Sequence, residues 1–133
     1  MNIDKHRERL MESLEVLDES ISKDIVKRQR TIGFNCSAAS ADMFEIYLHQ
    51  NDLIDPGSVV KHEWLKSKNK IKEKFPFEFP NKKEILVLIE KIEEKRNDLC
   101  YGSPKKEEII KEVILNFNKL KQLFQQMGVK IEK

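Results

Sequence analysis

Apolar residues recur at three- and four-residue steps in long stretches of this chain, and nowhere do they alternate as a half-buried strand requires. Leu10, Leu14, Leu17, Ile21 and Ile25 form one such stripe; Ile85, Ile89, Ile92 and Leu99 form another. Ile110, Val113, Phe117, Leu120, Phe124 and Met127 form a third. That spacing puts each set on one face of a helix. With only four glycines and four prolines to punctuate 133 residues, the pattern prescribes an all-α fold of about five long helices.

The first helix is expected from Asp4 to about Arg30. The pattern resets near Gly33, and a second helix runs to about His49. Phe34, Ala38, Ala41, Met43, Phe44, Tyr47 and Leu48 make it apolar around most of its circumference, as a central helix is. Its small residues, Ser37 to Ala41, would let a neighbour approach closely. A loop at residues 51–57 leads to Ser58, the expected N-cap of a third helix carrying Val60, Trp64, Ile71 and Phe75. Pro76 to Pro80 then reads as a loop folded back onto the bundle. Asn81 with Glu84 forms a capping-box variant for the fourth helix. Ser103 and Pro104 suit the start of the fifth, and Gly128 its end.

At 133 residues the chain is expected to be a single helical domain, residues 1–133, with one core. Charged residues make up 36% and hydrophobic residues 39%, which fits a folded, highly charged helical protein. No apolar run exceeds the five residues from Ile85 to Ile89, so no membrane span is expected. The first residues lack the apolar segment of a signal peptide, and a cytoplasmic location is expected. Cys36 and Cys100 read as buried free thiols. The three histidines are scattered, no Glu-x-x-His pair occurs, and neither a metal nor another cofactor is expected.

The net charge of +2 does not advertise nucleic-acid binding, but its distribution is uneven. Residues 61–83 carry eight lysines against three acids, whereas residues 1–20 carry six acids against three basic groups. A basic strip could follow a phosphate backbone. A solvated lysine-rich face is the ordinary alternative.

Arg96 falls near the middle of the apolar face defined by Ile85, Ile89, Ile92 and Leu99. A guanidinium does not lose its proton in a protein, so it needs a carboxylate, an aromatic plane or a bound anion there. Asn97 beside it and Tyr101 at the helix end complete a polar cluster, the first place to look for chemistry.

The run Arg96-Asn97-x-Leu99-x-Tyr101-Gly102, at the end of a helix and followed by a final amphipathic helix, resembles the signature of HEPN domains. Phe34 to Phe44 resembles their small-residue-rich second helix, and Gly57 to Leu65 the entry into their third. The resemblance implies an up-and-down helical bundle, usually a homodimer, with the arginine motifs of two protomers facing a shared cleft. Many members are metal-independent endoribonucleases in toxin–antitoxin or RNA-processing settings; others only bind nucleotides or partner proteins. In the ribonuclease case the RNA's own 2′-hydroxyl attacks, so the protein must move protons and stabilise charge on the phosphorane. Carried over by position, Arg96 would clamp the phosphate and Asn97 would orient it. The family's histidine is replaced here by Tyr101, whose phenol (pKa ~10 against ~6.5 for imidazole) is a poor general base at neutral pH. On an ideal helix Arg96 and Tyr101 are separated by roughly 140°, so they converge only if the helix unwinds near Gly102.

Asp42, Glu45 and His49 share a face of the second helix. The three could supply a proton acceptor at the substrate site, or Asp42 or Glu45 could simply neutralise Arg96. His49 is expected to be exposed near the helix C-terminus. Three readings stand open: a ribonuclease acting through Arg96, Asn97 and Tyr101, a non-catalytic module for RNA, a nucleotide or a partner protein, and a plain bundle with a structural Arg96.

Overall fold

The computed structural model describes residues 3–131, and these contain six helices and no strand. They are α1 (Ile3–Lys23), α2 (Gln29–Gln50), α3 (His62–Leu65), α4 (Lys68–Lys74), α5 (Lys82–Tyr101) and α6 (Glu107–Gln126). The long helices α1, α2, α5 and α6 run alternately up and down, and α3 and α4 sit in the crossover from α2 to α5. No helix is long and apolar enough to cross a membrane.

Helix α2 is the centre, as its broad apolar circumference predicts. It packs against α1, α5 and α6, and 15 of its 22 residues are buried. Phe44 anchors an aromatic layer, with ring centroids 4.9 Å from Phe75, 5.9 Å from Phe79 and 6.3 Å from Phe124. Phe75 and Phe79 are buried, so the proline-flanked segment does fold back onto the bundle.

Several helix boundaries differ from the expected ones, each for a local reason. The first helix stops at Lys23 because the Asp24 carboxylate accepts the Val26 and Lys27 N–H groups at 3.0 and 3.2 Å, closing a turn. Ile21, expected in the core stripe, is consequently exposed at the end of α1. Gly33 does not reset the pattern; it lies inside α2 where Leu99 of α5 crosses. A Cβ on Gly33 would stand 2.6 Å from Leu99 Cβ, so its role is close approach.

Ser58 does not cap a third helix. Its N–H closes a turn to Asp55 O, and the Glu45 carboxylate captures the N–H of Val60, holding this stretch extended up to Lys61. The expected third helix is then split by Ser67, an extended residue whose hydroxyl accepts the Lys70 N–H at 3.3 Å and starts α4. Asn81 precedes α5 in the left-handed conformation (φ 59°) and makes no side-chain cap. Helix α6 begins at Glu107, beyond Ser103 and Pro104. Gln29 pins that segment, donating to Ser103 O at 3.2 Å and accepting from Lys105 N at 2.8 Å. Gly128 closes α6 with φ 97°, as the sequence suggests.

Candidate functional site

Between α1, the outer face of α2 and the extended stretch before α3 lies a cleft of about 440 Å³. His6, Arg9, Phe34, Asp42, Glu45 and His62 line it. Two imidazole–carboxylate clusters meet there, both anchored on α2.

The first cluster joins the start of α1 to the end of α2. His6 Nδ1 lies 2.8 Å from Asp42 Oδ1, and His6 Nε2 lies 2.5 Å from Glu45 Oε2. His49 Nε2 faces the same Glu45 oxygen at 3.7 Å. The other Glu45 oxygen accepts from Val60 N. His6 Nε2, Glu45 Oε2 and His49 Nε2 are all buried, and His49 Nε2 has no hydrogen-bond partner. The hydrogen bond to Asp42, then the contact with Glu45, raise the His6 pKa from 6.5 to about 9.

The second cluster joins α2, α3 and α5. Glu93 occupies the buried face of α5, its side chain fully enclosed, and accepts from Ser37 Oγ at 2.6 Å. Its Oε1 lies 2.7 Å from Nδ1 of His62, whose side chain is 39% exposed to the cleft. A carboxylate holding Nδ1–H fixes the tautomer that leaves Nε2 as the free nitrogen. This pairing is the arrangement of an imidazole prepared to accept and return a proton.

Beside the cleft, α2 and α5 form a seam of alternating cations and rings. The Arg96 guanidinium lies 5.7 Å from the Phe34 centroid, and the Arg30 guanidinium 5.9 Å from that of Tyr101. Arg96 is half-buried on its apolar face, and no carboxylate lies within ion-pair distance of it among the described residues. Its Nε is buried without a partner. Asn97 is exposed, Phe34 is 50% exposed and Tyr101 is 73% exposed. Because α5 stays helical through Tyr101, it does not unwind to bring Tyr101 over Arg96.

The expected partnership of Asp42 or Glu45 with Arg96 is therefore replaced. Both carboxylates turn toward α1 and take His6. His49, expected to be exposed, is drawn into this cluster with only 7% of its side chain accessible. Cys36 and Cys100 are buried free thiols, as expected. Burial pushes the Cys36 thiol up to about 12, which leaves it unreactive at neutral pH.

Compared with protein-family models, curated proteins and solved structures, the chain matches none.

Three functional groups escaped the reading of the sequence. His6 stands four residues before Leu10 and extends the stripe of α1, a signal of burial. Glu93 follows Ile89 by four and lies on the same face as the isoleucines, a signal as strong as that of Arg96. His62 gives no periodic signal, since α3 is a single turn.

Proposed function

We propose that the chain is an RNA-associated protein of the HEPN type whose cleft and adjoining seam receive a phosphodiester and cleave it with the RNA's own 2′-hydroxyl. The observation that supports this reading is the placement of Arg96, a guanidinium with no carboxylate, over the Phe34 ring that lines the same cleft as His62. Glu93, which anchors His62, stands one turn before Arg96 on α5, and side chains so spaced lie roughly 5–6 Å apart at Cβ. A phosphate held by Arg96 and oriented by Asn97 would lie within reach of an imidazole. His62 then does the work for which the Tyr101 phenol is unsuited: it accepts the 2′-hydroxyl proton and returns one to the leaving 5′-oxygen. Arg96 stabilises the charge that develops on the phosphorane. The exposed face of Phe34 offers a plane for a base to stack on, and Tyr101 with Arg30 extends that platform. In this reading two copies pair with their seams facing a common groove in the cytoplasm, in a toxin–antitoxin or RNA-processing setting.

The test is cleavage of a labelled structured RNA in EDTA by wild type, Arg96→Ala, His62→Ala and Tyr101→His, with folding checked by circular dichroism. Wild type is expected to cut, and Arg96→Ala and His62→Ala to lose about 10²-fold or more. A binding-only module is the second reading, favoured by Tyr101 standing at the family's histidine position. It predicts RNA or nucleotide binding that depends on Arg96 without cleavage by wild type. Neither binding nor cleavage by folded wild type refutes both.

A further inference from the structure

The geometry points to a divalent transition-metal site, best suited to Zn²⁺, formed by His6 Nε2, Glu45 Oε2 and His49 Nε2 beside the cleft. The three donor atoms lie within 4.8 Å of one another. The Glu45–His49 separation of 3.7 Å is close to the roughly 3.4 Å edge of a tetrahedron with ~2.1 Å bonds, whereas His6 Nε2 and Glu45 Oε2, 2.5 Å apart, would have to part by about 1 Å to bind the same ion. Two imidazoles and one carboxylate form a ligand set that zinc favours.

The hydrogen-bond inventory argues for a cation. All three donor atoms are buried; His6 Nε2 and Glu45 Oε2 stand 2.5 Å apart, and His49 Nε2 has no hydrogen-bond partner. One proton between His6 Nε2 and Glu45 Oε2 would satisfy two of them and leave His49 Nε2 orphaned, at a cost typical of a buried unpaired acceptor. A metal ion satisfies all three.

The surrounding groups are those a metal site requires. Asp42 Oδ1 lies 2.8 Å from His6 Nδ1, and a carboxylate accepting the Nδ1–H turns the Nε2 lone pair toward the ion. Val60 N–H donates to Glu45 Oε1, which leaves Oε2 free to bind through one oxygen. Helix α1 supplies one ligand and α2 the other two, so the ion would clip the first turn of α1 to the last turns of α2.

The inference does not rest on the phosphodiester reading, and its test uses no RNA. Tag-free protein, stripped with a chelator and shown to be folded, is titrated with Zn²⁺ against a competing indicator dye. Wild type is expected to take one equivalent at submicromolar affinity and to gain several degrees in melting temperature. His49→Ala, at the edge of the cluster, is expected to lose at least 100-fold in affinity. Asp42→Asn, which keeps all three ligands, is expected to lose 10- to 100-fold. Co²⁺ should give the visible bands of a four- or five-coordinate ion in wild type and not in His49→Ala. Absence of a tight equivalent in folded wild type, or equal affinity in wild type and His49→Ala, would overturn the assignment.

Discussion

Replacing Gly33 by alanine should force α2 and α5 apart at the level of the Arg96 seam. The new methyl would sit 2.6 Å from Leu99 Cβ and 3.3 Å from its Cδ1, where ordinary carbon contacts begin near ~3.5 Å. Leu99 cannot swing away, because the obstructing Cβ is bonded to the α5 backbone, so the helix itself must move. Gln29 resists that movement by donating to Leu99 O at 3.2 Å from the neighbouring turn of α2. Overpacking of this kind costs up to about 3 kcal/mol, and alanine returns about 1 kcal/mol of helix propensity over glycine. The net loss is about 2 kcal/mol. At ~2.1 cal/mol/K per residue over 133 residues, that lowers Tm by about 7 °C. Scanning calorimetry of Gly33→Ala against Gly57→Ala, whose Cβ would meet nothing within 4 Å, is the assay. A Gly33→Ala protein as stable as wild type would refute the reasoning, since the helices would then part without resistance.

Chelator-treated protein should lose stability as pH rises from about 6.5 through 9, because a histidine whose folded pKa is raised stabilises the fold only while it is protonated. The shift from 6.5 to about 9 sets an upper bound of about 3 kcal/mol, read as the wild-type minus His6→Gln difference in urea denaturation at pH 6 and pH 9.5. A difference that does not change with pH would contradict this. Phe124→Ala removes a fully buried ring from the layer with Phe44 and Tyr47 and should cost about 3–5 kcal/mol by the same denaturation assay. Gln29→Leu strips Leu99 O, Ser103 O and Lys105 N of their side-chain partner; a loss of about 1–3 kcal/mol and faster amide exchange at Lys105 are expected.

The parts of the fold legible in the sequence are those written in apolar periodicity: α1, α2, α5 and α6, the central place of α2, and the closure of α6 at Gly128. What was not legible is where a side chain competes with the helix for backbone groups. Asp24 ends α1, Glu45 keeps Val60 extended, and Gln29 delays α6, each through a carboxylate or amide whose target no local pattern names. The candidate site divides in the same way. Arg96 stood out because an apolar stripe made it anomalous, yet Glu93 on the same face was equally anomalous and is the more deeply buried. Asp42, Glu45 and His49 were correctly placed on one face, but their partner, His6, lies 36 residues from Asp42 and is joined to it only by the antiparallel return of α1.

Because α2 is enclosed by α1, α5 and α6, its amides should exchange with solvent only when the whole molecule unfolds. Ser37, Asp42 and Glu45 all belong to that helix, so both clusters are fixed to the most slowly opening part of the protein. The extended stretch before α3 lines one side of the open cleft beside them. Its Val60 N–H is tethered to Glu45, so that carboxylate ties the wall of the cleft directly to the histidine cluster.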